Sequence, residues 1–565
     1  MSSSKVIVLG LDGATFEIID PLIQVGALPN IGDLIRHGCR RILQSTIPYV
    51  TMPAWPSFMT GKNPGKLGVF DFFVIDPDGQ RRIANSTDVR SETLWEILGS
   101  FGKASIVMNV PGTYPPKDIN GILVSGMLTP PGAPFTAPPE VRTLLDELTG
   151  GYRVNEDASL VSRQSGEELL SDLLDVAQKQ SFAFRSLLQS RPWDFAAIVF
   201  RASDIIQHLF WDAPLRVSLV YRFLDHVVGE IRALYPDALL LIMSDHGAQG
   251  HLRTVHVNQW LIDHGFMSIA KRTLNEPAHT REAGSQNGDG QRMARAGSAR
   301  HAWGIRKLAA GRTITKADLR RRLPAPLWSL ARWVIPRRWK AIVPARHEYE
   351  HEIDWGHTRV SASQDFCLDS RVVRINLRGR DPQGIVPPSE YEALRREVAE
   401  GLRSLKDPET SKLVIKACYV PEDLYWGPYV DRAPDIVLDL NDGYQISRCL
   451  YANEWVTKKS PTTGYHHRDG ILVVQGPGVR EGAELGPASI LDLTPTILNY
   501  SGVPVPSDCD GKVLADLFSA DSDVKERQPQ FLEPLPASDV HGLSVGPSGD
   551  MSQVEERLRA LGYLD

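Results

Sequence analysis

The length, composition and charge of the chain are those of a large globular protein and point to no specialised class. With 565 residues, it can bury an extensive core, either as one large domain with insertions or as two to four ordinary domains. A hydrophobic content of 42% and a charged content of 23% are typical of soluble globular proteins, and the formal net charge of −6 indicates no particular partner.

Cysteine usage and hydropathy predict the compartment. The five cysteines are scattered and form no Cys-x-x-Cys pair, which argues against a disulfide framework or a thiolate zinc site. The N-terminal stretch MSSSKVIVLGLDG lacks the pattern of a signal peptide, and no run approaches 18 uninterrupted apolar residues. We therefore predict a cytoplasmic protein.

Apolar runs alternate with helical patterns along the chain. Buried strands are predicted at 5–11, 103–110, 195–200, 238–244, 433–440 and 471–476. Helices are predicted at 90–101, 141–149, 166–190, 215–234 and 389–405. The strand runs are continuously apolar, as expected for strands covered on both faces. The pattern predicts an α/β sandwich with a largely parallel central sheet and helices on both faces.

A strongly basic segment interrupts this pattern. Residues 271–347 contain 18 Lys and Arg against 4 Asp and Glu, a net charge of +14. We interpret 267–348 as an inserted, partly disordered cap between two parts of one catalytic core, 1–266 and 349–519. Residues 520–565 are interpreted as a tail that ends in a short helix.

Acidic and histidine residues follow three of the predicted strands, where the carboxyl ends of parallel strands converge. Asp12 ends the first strand, and a helix N-cap is the alternative interpretation. Asp204 and His208 are four residues apart, so on a helix they share one face and can hold one cation, although a simple helix ion pair has the same spacing. Asp245 and His246 end a very apolar strand, where burying two such side chains is costly without a bound cation.

Two further segments complete a set of side chains suited to metal binding. His466 and His467 precede the last strand, and a surface histidine pair is the alternative interpretation. Thr51 lies in YVTMPAWPSFMTG, where we predict a nucleophile at the start of a helix rather than a surface turn. Three aspartates, three histidines and a hydroxyl suit two divalent cations at a catalytic site. Coordination lowers the pKa of a threonine hydroxyl and makes it a nucleophile toward phosphorus, giving a phospho-threonine intermediate.

These motifs resemble those of the alkaline phosphatase superfamily and, within it, the type I phosphodiesterase/nucleotide pyrophosphatase family. The resemblance covers most of 5–265 and 350–515 and depends on the order of LGLDG, VTMPAWPSFMTGKNPGKLGVF, SDIIQH, SDHG and GYHHRDGILVVQGPG. It implies an alkaline-phosphatase-like fold and a phosphoester hydrolase with two divalent ions, Zn²⁺ or alternatively Mn²⁺. The threonine at the nucleophile position disfavours sulfatases and phosphoglycerate mutases.

The resemblance also implies a role for each candidate side chain. It assigns one ion to Asp204, His208 and His466. It assigns the other ion to Asp12, Thr51, Asp245 and His246. In the family pattern the late histidine lies three residues before the aspartate of DG, which selects His466 and leaves His467 as the alternative. Thr51 is the implied catalytic nucleophile.

One position departs from the family pattern. An asparagine that binds a phosphoryl oxygen in these enzymes is replaced here by Phe72, with Asp71 beside it, so an oxyanion donor is lost. The backbone N–H of Met52 and the side chains of Lys62 and Lys66 are candidates to replace it, although both lysines could simply be solvated. Phosphoester hydrolysis is expected, and nucleotide preference is left open.

The basic insertion is the natural candidate for substrate selection. It could act as an anion-attracting lid, and PLWSLARWVIPRRWKAIVP (326–344) could contact an acidic membrane surface; a helix packed on its own domain is the alternative. We expect a small anionic phosphoester as substrate and no specific nucleic-acid binding. The alternatives to a phosphodiesterase are a phospholipid head-group hydrolase or transferase on the same core, and an inactive member that binds an anion.

Overall fold

A computed structural model describes most of the chain outside the basic insertion. The described residues are 5–75, 81–163, 166–273, 349–362, 371–447, 449–450, 452, 454–458, 463–534, 554–555 and 558. Two compact units are present, one formed by 1–268 with 353–565 and the other by 269–352. The predicted cap falls mainly on 274–348, and its amphipathic segment 326–344 falls wholly there, so both lie outside the described residues.

The strands are numbered here in chain order. They are β1 (Val6–Leu11), β2 (Cys39–Gln44), β3 (Phe73–Ile75), β4 (Arg81–Ile83), β5 (Ser105–Val110), β6 (Gly121–Ser125), β7 (Thr136–Ala137), β8 (Phe195–Phe200), β9 (Leu239–Met243), β10 (Gly247–Gly250), β11 (Arg253–Val255), β12 (Ile269–Thr273), β13 (Tyr349–Ile353), β14 (Val360–Ser361), β15 (Val372–Ile375), β16 (Ile415–Tyr419), β17 (Ile436–Leu440), β18 (Tyr444–Ile446), β19 (Val456–Lys458), β20 (Gly464–His467), β21 (Asp469–Gln475), β22 (Ala483–Glu484), β23 (Ala488–Ser489), β24 (Val505–Pro506) and β25 (Phe531–Leu532).

The helices are numbered in the same way. They are α1 (Phe16–Gln24), α2 (Pro29–Arg36), α3 (Thr51–Thr60), α4 (Pro64–Leu67), α5 (Leu94–Ser100), α6 (Val141–Thr149), α7 (Ala158–Arg163), α8 (Gly166–Ser190), α9 (Ala202–Phe210), α10 (Pro214–Leu234), α11 (Val257–Asp263), α12 (Tyr391–Arg403), α13 (Pro421–Leu424), α14 (Leu493–Tyr500) and α15 (Asp523–Glu526).

A ten-stranded sheet forms the centre of the larger unit. Its order is β22-β2-β21-β9-β1-β8-β5-β6-β7, and β23 also pairs with β2. The strands β9, β1, β8, β5 and β6 are parallel to one another. This confirms the predicted α/β class with a largely parallel central sheet.

Two predicted strands differ from that expectation. β21 runs antiparallel to both β9 and β2. β17 is outside the central sheet and belongs to a separate antiparallel sheet, β14-β15-β17-β16, which we call the small sheet. Both strands are almost fully buried. Their apolar runs therefore reflect burial on two faces, which does not specify strand direction.

The central sheet separates two hydrophobic cores. Alternate side chains of β1 point to opposite sides, with Ile7 and Leu9 in one core and Val6 and Val8 in the other. The first core contains buried residues of α1, α2, α8, α9 and α10, and the second contains those of α5 and α14. Helix α3 contributes Met52 to the first core and most of its other apolar side chains to the second. Because β1 lies at the centre of the sheet, its carboxyl end comes close to the ends of β8 and β9.

The predicted helices agree closely with the observed ones. The 141–149 and 166–190 predictions have the observed bounds, and 215–234 starts one residue late. The 90–101 prediction begins too early because Thr93 caps α5 through a capping box with Glu96. The predicted C-terminal helix lies mostly outside the described residues.

Two further properties of the described residues are the length and hydropathy of the helices and the state of the cysteines. Within the described residues no single helix is long and apolar enough to cross a membrane, although α1 and α2, bent by 100°, meet the length and composition test as a pair. The cysteines in the described part of the chain, Cys39, Cys418, Cys449 and Cys509, are free thiols. Cys367 lies outside that part.

Candidate active site and metal centre

Three predicted ligands meet where α9, which follows β8, packs against β20. Asp204 and His208 lie one turn apart on α9, and the His208 Nε2 atom is 3.2 Å from the Asp204 Oδ1 atom. His466 on β20 brings its Nε2 atom to 2.9 Å from His208 Nε2 and 3.6 Å from Asp204 Oδ1. All three side chains are buried, and we call them the Asp204 cluster.

A second group of predicted ligands lies at the ends of β1 and β9. His246 Nε2 is 3.3 Å from Asp245 Oδ2 and 3.9 Å from Asp12 Oδ1. These three side chains, which we call the Asp245 cluster, are at most 1% exposed. The rings of His246 and His466 stack with their centres 3.7 Å apart, so the two clusters adjoin.

Thr51 stands beside the Asp245 cluster at the first position of α3. Its side chain is 1% exposed, and its Oγ1 atom lies 3.4 Å from His246 Nε2. The preceding Val50 is extended, so the chain turns into the helix at this hydroxyl. The first-turn amides of a helix carry partial positive charge, which favours an anion at this position.

Sequence reasoning missed the side chains that hold the loop after β1. The carbonyl oxygens of Asp12, Gly13 and Ala14 accept hydrogen bonds from Ser203 Oγ at 2.7 Å, Gln207 Nε2 at 3.0 Å and Ser244 Oγ at 2.9 Å. Each donor lies next to a predicted ligand, since Ser203 and Gln207 precede Asp204 and His208 and Ser244 precedes Asp245. Their position next to the predicted ligands is the sequence signal that could have identified these side chains.

Two glycines allow the close approach of these elements. Gly13 has φ +66°, and a Cβ there would lie 2.9 Å from Asp204 Oδ1. A Cβ on Gly10 would lie 2.6 Å from the Trp55 ring. Trp55 in turn donates its indole N–H to Asp12 Oδ2 at 3.4 Å, a contact that the sequence did not indicate.

The electrostatics reflect three buried carboxylates in one place. Burial, with the charges of Asp245 and Asp204, holds the pKa of Asp12 well above its usual range. Burial and the charge of Asp204 raise the pKa of Asp245 to about 8. Burial opposes ionisation of Asp204 too, but the charge and hydrogen bonds of His208 and His466 outweigh it and hold its pKa well below the usual range.

The pKa values of the three histidines shift in different directions. Burial lowers the pKa of His246 and, more strongly, that of His466, where the neighbouring His246 acts in the same direction. For His208, burial is outweighed by the charge of Asp204, so its pKa is raised. Neutral imidazoles and ionised carboxylates are the forms that bind cations.

The donor set fits two divalent cations. Asp12 Oδ1 and Asp245 Oδ2 are buried and lack hydrogen-bond partners among the described residues, a costly state that a bound cation relieves. The Nδ1 atoms of His208 and His246 lie 3.3 and 3.0 Å from the carbonyl oxygens of Gly464 and Gly247. An N–H donated there leaves each Nε2 lone pair for a metal ion.

We expect the metal-free protein to lose stability as pH rises from 5 to 8, in part through Asp245. Its pKa is 3.8 in the reference state and about 8 in the folded protein, so over this range the folded state binds a proton that the unfolded state has lost. Stability then falls with increasing pH. Thermal melts of chelator-treated protein should show a smaller fall for Asp245→Asn than for the wild type; equal pH slopes would contradict this assignment.

The three residues predicted to bind substrate, Lys62, Lys66 and Phe72, contact groups outside the two clusters. Lys62 Nζ contacts Asp508 Oδ2 at 2.5 Å, and Lys66 Nζ contacts Asp510 Oδ1 at 2.6 Å. Phe72 is fully buried in the first hydrophobic core. Both ammonium groups thus have carboxylate partners in the 508–510 loop, and a substrate-binding role for these three residues stays a prediction.

The alternative histidine points elsewhere. The His467 side chain is 30% exposed and its Nε2 atom lies 3.6 Å from Asp442 Oδ1. Its Nδ1 atom accepts a hydrogen bond from the Asp469 backbone N–H at 3.1 Å. Adjacent residues of a strand face opposite sides, which places His466, and not His467, beside Asp204 and His208.

Two adjoining carboxylate–histidine clusters can hold a pair of metal ions, and paired metal ions are used by phosphatases and nucleases to cleave phosphoric esters. The family model described as type I phosphodiesterase / nucleotide pyrophosphatase matches residues 6–469. The chain therefore belongs to this family of metal-dependent phosphoester hydrolases. No curated protein matches the chain.

Solved structures of ectonucleotide pyrophosphatase / phosphodiesterase 5 are similar to this chain. The human protein has 13% sequence identity and a TM-score of 0.47, and the comparison covers 91% of this chain and 100% of that one. The murine protein has the same identity and coverage with a TM-score of 0.48, as does an inactive murine variant in complex with AMP. At this distance the family assignment rests on the family model alone.

Proposed function

We propose that this chain is a two-metal phosphodiesterase that cleaves a small anionic diester through a covalent phosphate on Thr51. The observation that carries the proposal is the position of Thr51 Oγ1, 3.4 Å from His246 Nε2 in the Asp245 cluster. The hydroxyl is buried at a helix start, and the histidine that it faces lies beside the carboxylates of Asp12 and Asp245. Cations held by these groups would activate the hydroxyl as a nucleophile.

Two sets of residues would hold the ions, with Zn²⁺ first and Mn²⁺ as the alternative. One set is Asp204, His208 and His466. The other set is Asp12, Thr51, Asp245 and His246. When bound, the ions supply positive charge that lowers the pKa of a coordinated hydroxyl and stabilises a leaving oxygen. The carboxylates and neutral imidazoles match the donor preferences of both metals.

The protein's own groups then account for the reaction in two steps. Thr51 Oγ forms a bond to phosphorus in line with the P–O bond that breaks. The Thr51 hydroxyl proton passes to water, and the leaving oxygen takes a proton from water to depart as the first alcohol. The first-turn amides of α3 at Thr51 and Met52 are oriented to stabilise a phosphoryl oxygen. Water next attacks the phospho-threonine, releasing a phosphomonoester and restoring the Thr51 hydroxyl.

Metal removal tests this proposal. We expect purified protein to hydrolyse bis(p-nitrophenyl) phosphate faster than p-nitrophenyl phosphate, because we propose a diester substrate. Turnover should disappear after dialysis against a chelator and return with Zn²⁺ or Mn²⁺. Absorbance assays with metal content measured on the same samples provide the readout. Full turnover in metal-free protein, or none in protein with two bound ions, would contradict the proposal.

We further propose a cytoplasmic location, which the free thiols of the described cysteines support. The substrate that we propose is a small phosphate diester, and the seven side chains proposed to hold the ions are each at most 3% exposed. Nucleotides are one such class, named by the family description. An assay panel of dinucleotides, sugar-nucleotides and glycerophosphodiesters would rank them by kcat/KM.

A further inference from the structure

A buried arginine contacts two aromatic rings, each within two residues of a side chain of the proposed site. No surface of Arg371 is exposed. Its guanidinium carbon lies 3.7 Å from the ring centre of Tyr49 and 5.0 Å from that of Tyr465. Such cation–π contacts are strongest when desolvated, as both are here. In the sequence, Tyr49 is two residues before Thr51, and Tyr465 immediately precedes the predicted metal ligand His466.

The ring of Tyr465 also contacts two of the candidate metal-binding histidines. It stacks on His466 with ring centres 5.3 Å apart and planes 18° apart. It also meets His208 edge-on, with centres 6.1 Å apart. Tyr465 is held in register by pairing with Gln249 across β10 and β20. Its position therefore affects the orientation of two side chains of the Asp204 cluster.

On the other side, the small sheet fixes the segment 47–50 that leads into α3. Ile47 packs against Val372 of β15 and Val437 of β17. Tyr425 donates its hydroxyl to the Ile47 carbonyl oxygen. This segment therefore has its position set by residues that are more than 300 positions away in the chain.

Arg371 belongs to the same arrangement. Its carbonyl oxygen accepts a hydrogen bond from the Leu438 N–H at 2.7 Å, which ties its backbone to β17. The Tyr49 ring beneath its guanidinium donates its hydroxyl to Asp439 Oδ1, the next residue of β17, at 3.3 Å. Tyr49 is thus held at its face by Arg371 and at its hydroxyl by Asp439.

We propose that Arg371 is a positioning residue for phosphoryl transfer: by holding Tyr49 and Tyr465 against one guanidinium, it sets the placement of Thr51 relative to His466. This inference rests on the proposed function. Because Arg371 has no exposed surface, it acts through the two rings and does not touch the substrate. A planar guanidinium can stack on rings, whereas the compact ammonium of lysine cannot do so equally well.

The test compares two buried arginines that each lie over a tyrosine. Arg371→Met removes the proposed clamp. Arg395→Met is the matched control, because Arg395 is also buried and lies 5.1 Å from the Tyr391 ring centre, but its ion pairs are with Glu392 and Glu422 on α12 and α13. Metal-loaded proteins are assayed with bis(p-nitrophenyl) phosphate, and amide exchange of the peptide around 47–52 is followed by mass spectrometry.

We expect Arg371→Met to lower kcat by about 10²-fold, the cost typical of a reacting group displaced by about 1 Å, with KM changed less than threefold. Exchange in the 47–52 peptide should be faster in this variant only, and the control should keep wild-type kcat and exchange. Arg371→Lys should resemble the methionine variant. Wild-type kcat in a folded Arg371→Met protein, or full activity in Arg371→Lys, would overturn the proposal.

The exchange measurement separates this inference from the proposed function. If the wild-type protein hydrolyses no diester, the proposed function fails, and unchanged exchange at 47–52 in Arg371→Met then overturns the positioning role as well. If Arg371→Met does not fold, Arg371→Lys and the double-mutant cycle of Arg371→Lys with Tyr49→Leu decide. Non-additive effects on kcat support a shared action, and additive effects contradict it.

Discussion

Thr51→Ala should abolish measurable phosphodiester turnover, lowering kcat by about 10⁶-fold, the size of loss found when a catalytic nucleophile is removed. The methyl side chain cannot form the bond to phosphorus, and water held in the same place lacks the fixed position of a side-chain oxygen. The Asp204 cluster is not altered, so at least one ion should remain bound. Steady-state kinetics with metal-loaded protein give the measurement.

Two further variants sharpen this result. Thr51→Ser keeps a hydroxyl and should retain measurable turnover. Thr60→Ala is the matched control, because Thr60 is a buried threonine of the same helix whose hydroxyl donates to Pro56 O at 2.8 Å. Wild-type protein acid-quenched during turnover of bis(p-nitrophenyl) phosphate should carry a p-nitrophenyl phosphate ester on Thr51, detected by peptide mass spectrometry. Full turnover in a metal-loaded Thr51→Ala protein would exclude this residue as the nucleophile.

Asp245→Asn should remove one of two bound ions and lower kcat by more than about 10²-fold, since even the loss of a partner outside the coordination shell costs up to that amount. Asparagine can still accept the hydrogen bond that Gly13 N–H gives to Asp245 Oδ1 at 3.2 Å, so the loop after β1 should keep its shape. The change therefore isolates the charge of the ligand. Metal analysis by mass spectrometry, with kinetics on the same samples, provides the measurement.

The same variant should have opposite effects on stability with and without metal. In metal-free protein, the buried carboxylates repel each other, so the neutral amide should raise Tm at pH 8; in metal-loaded protein, the lost ligand should lower it. Asp225→Asn is the control. Asp225 is also buried, but it belongs to neither cluster and accepts hydrogen bonds from Asn30 and Ile31, which lie more than 190 residues earlier in the chain. It should lower Tm in both states and keep two ions. A lower Tm for metal-free Asp245→Asn at pH 8 would contradict the electrostatic account.

The sequence was sufficient for the fold class because its strongest signals are local. Continuous apolar runs identified β1, β8 and β9, and amphipathic periodicity identified α8 and α10. Strand direction was harder, because burial on two faces produces the same pattern in β17 and β21 as in a parallel strand. The separate small sheet depends on long-range pairing, which a local pattern does not encode.

Part of the site could also be derived from the sequence. Asp12, Asp204 and Asp245 follow strands that are neighbours in the sheet, so their convergence follows from the topology of parallel strands. His466 was different, because it lies on β20, a short strand outside the central sheet that pairs with the distant β10, and only the family resemblance selected it over His467. Arg371 and Trp55 had no local signal, since each contacts the site from a distant part of the chain.

The central claim is that seven side chains from distant parts of the chain hold two cations beside one hydroxyl. A crystal structure of zinc-loaded protein, with anomalous data collected at the zinc edge, tests it most directly. We predict two strong peaks, one among Asp204, His208 and His466 and the other among Asp12, Thr51, Asp245 and His246. A single peak, or peaks held by other residues, would contradict the claim.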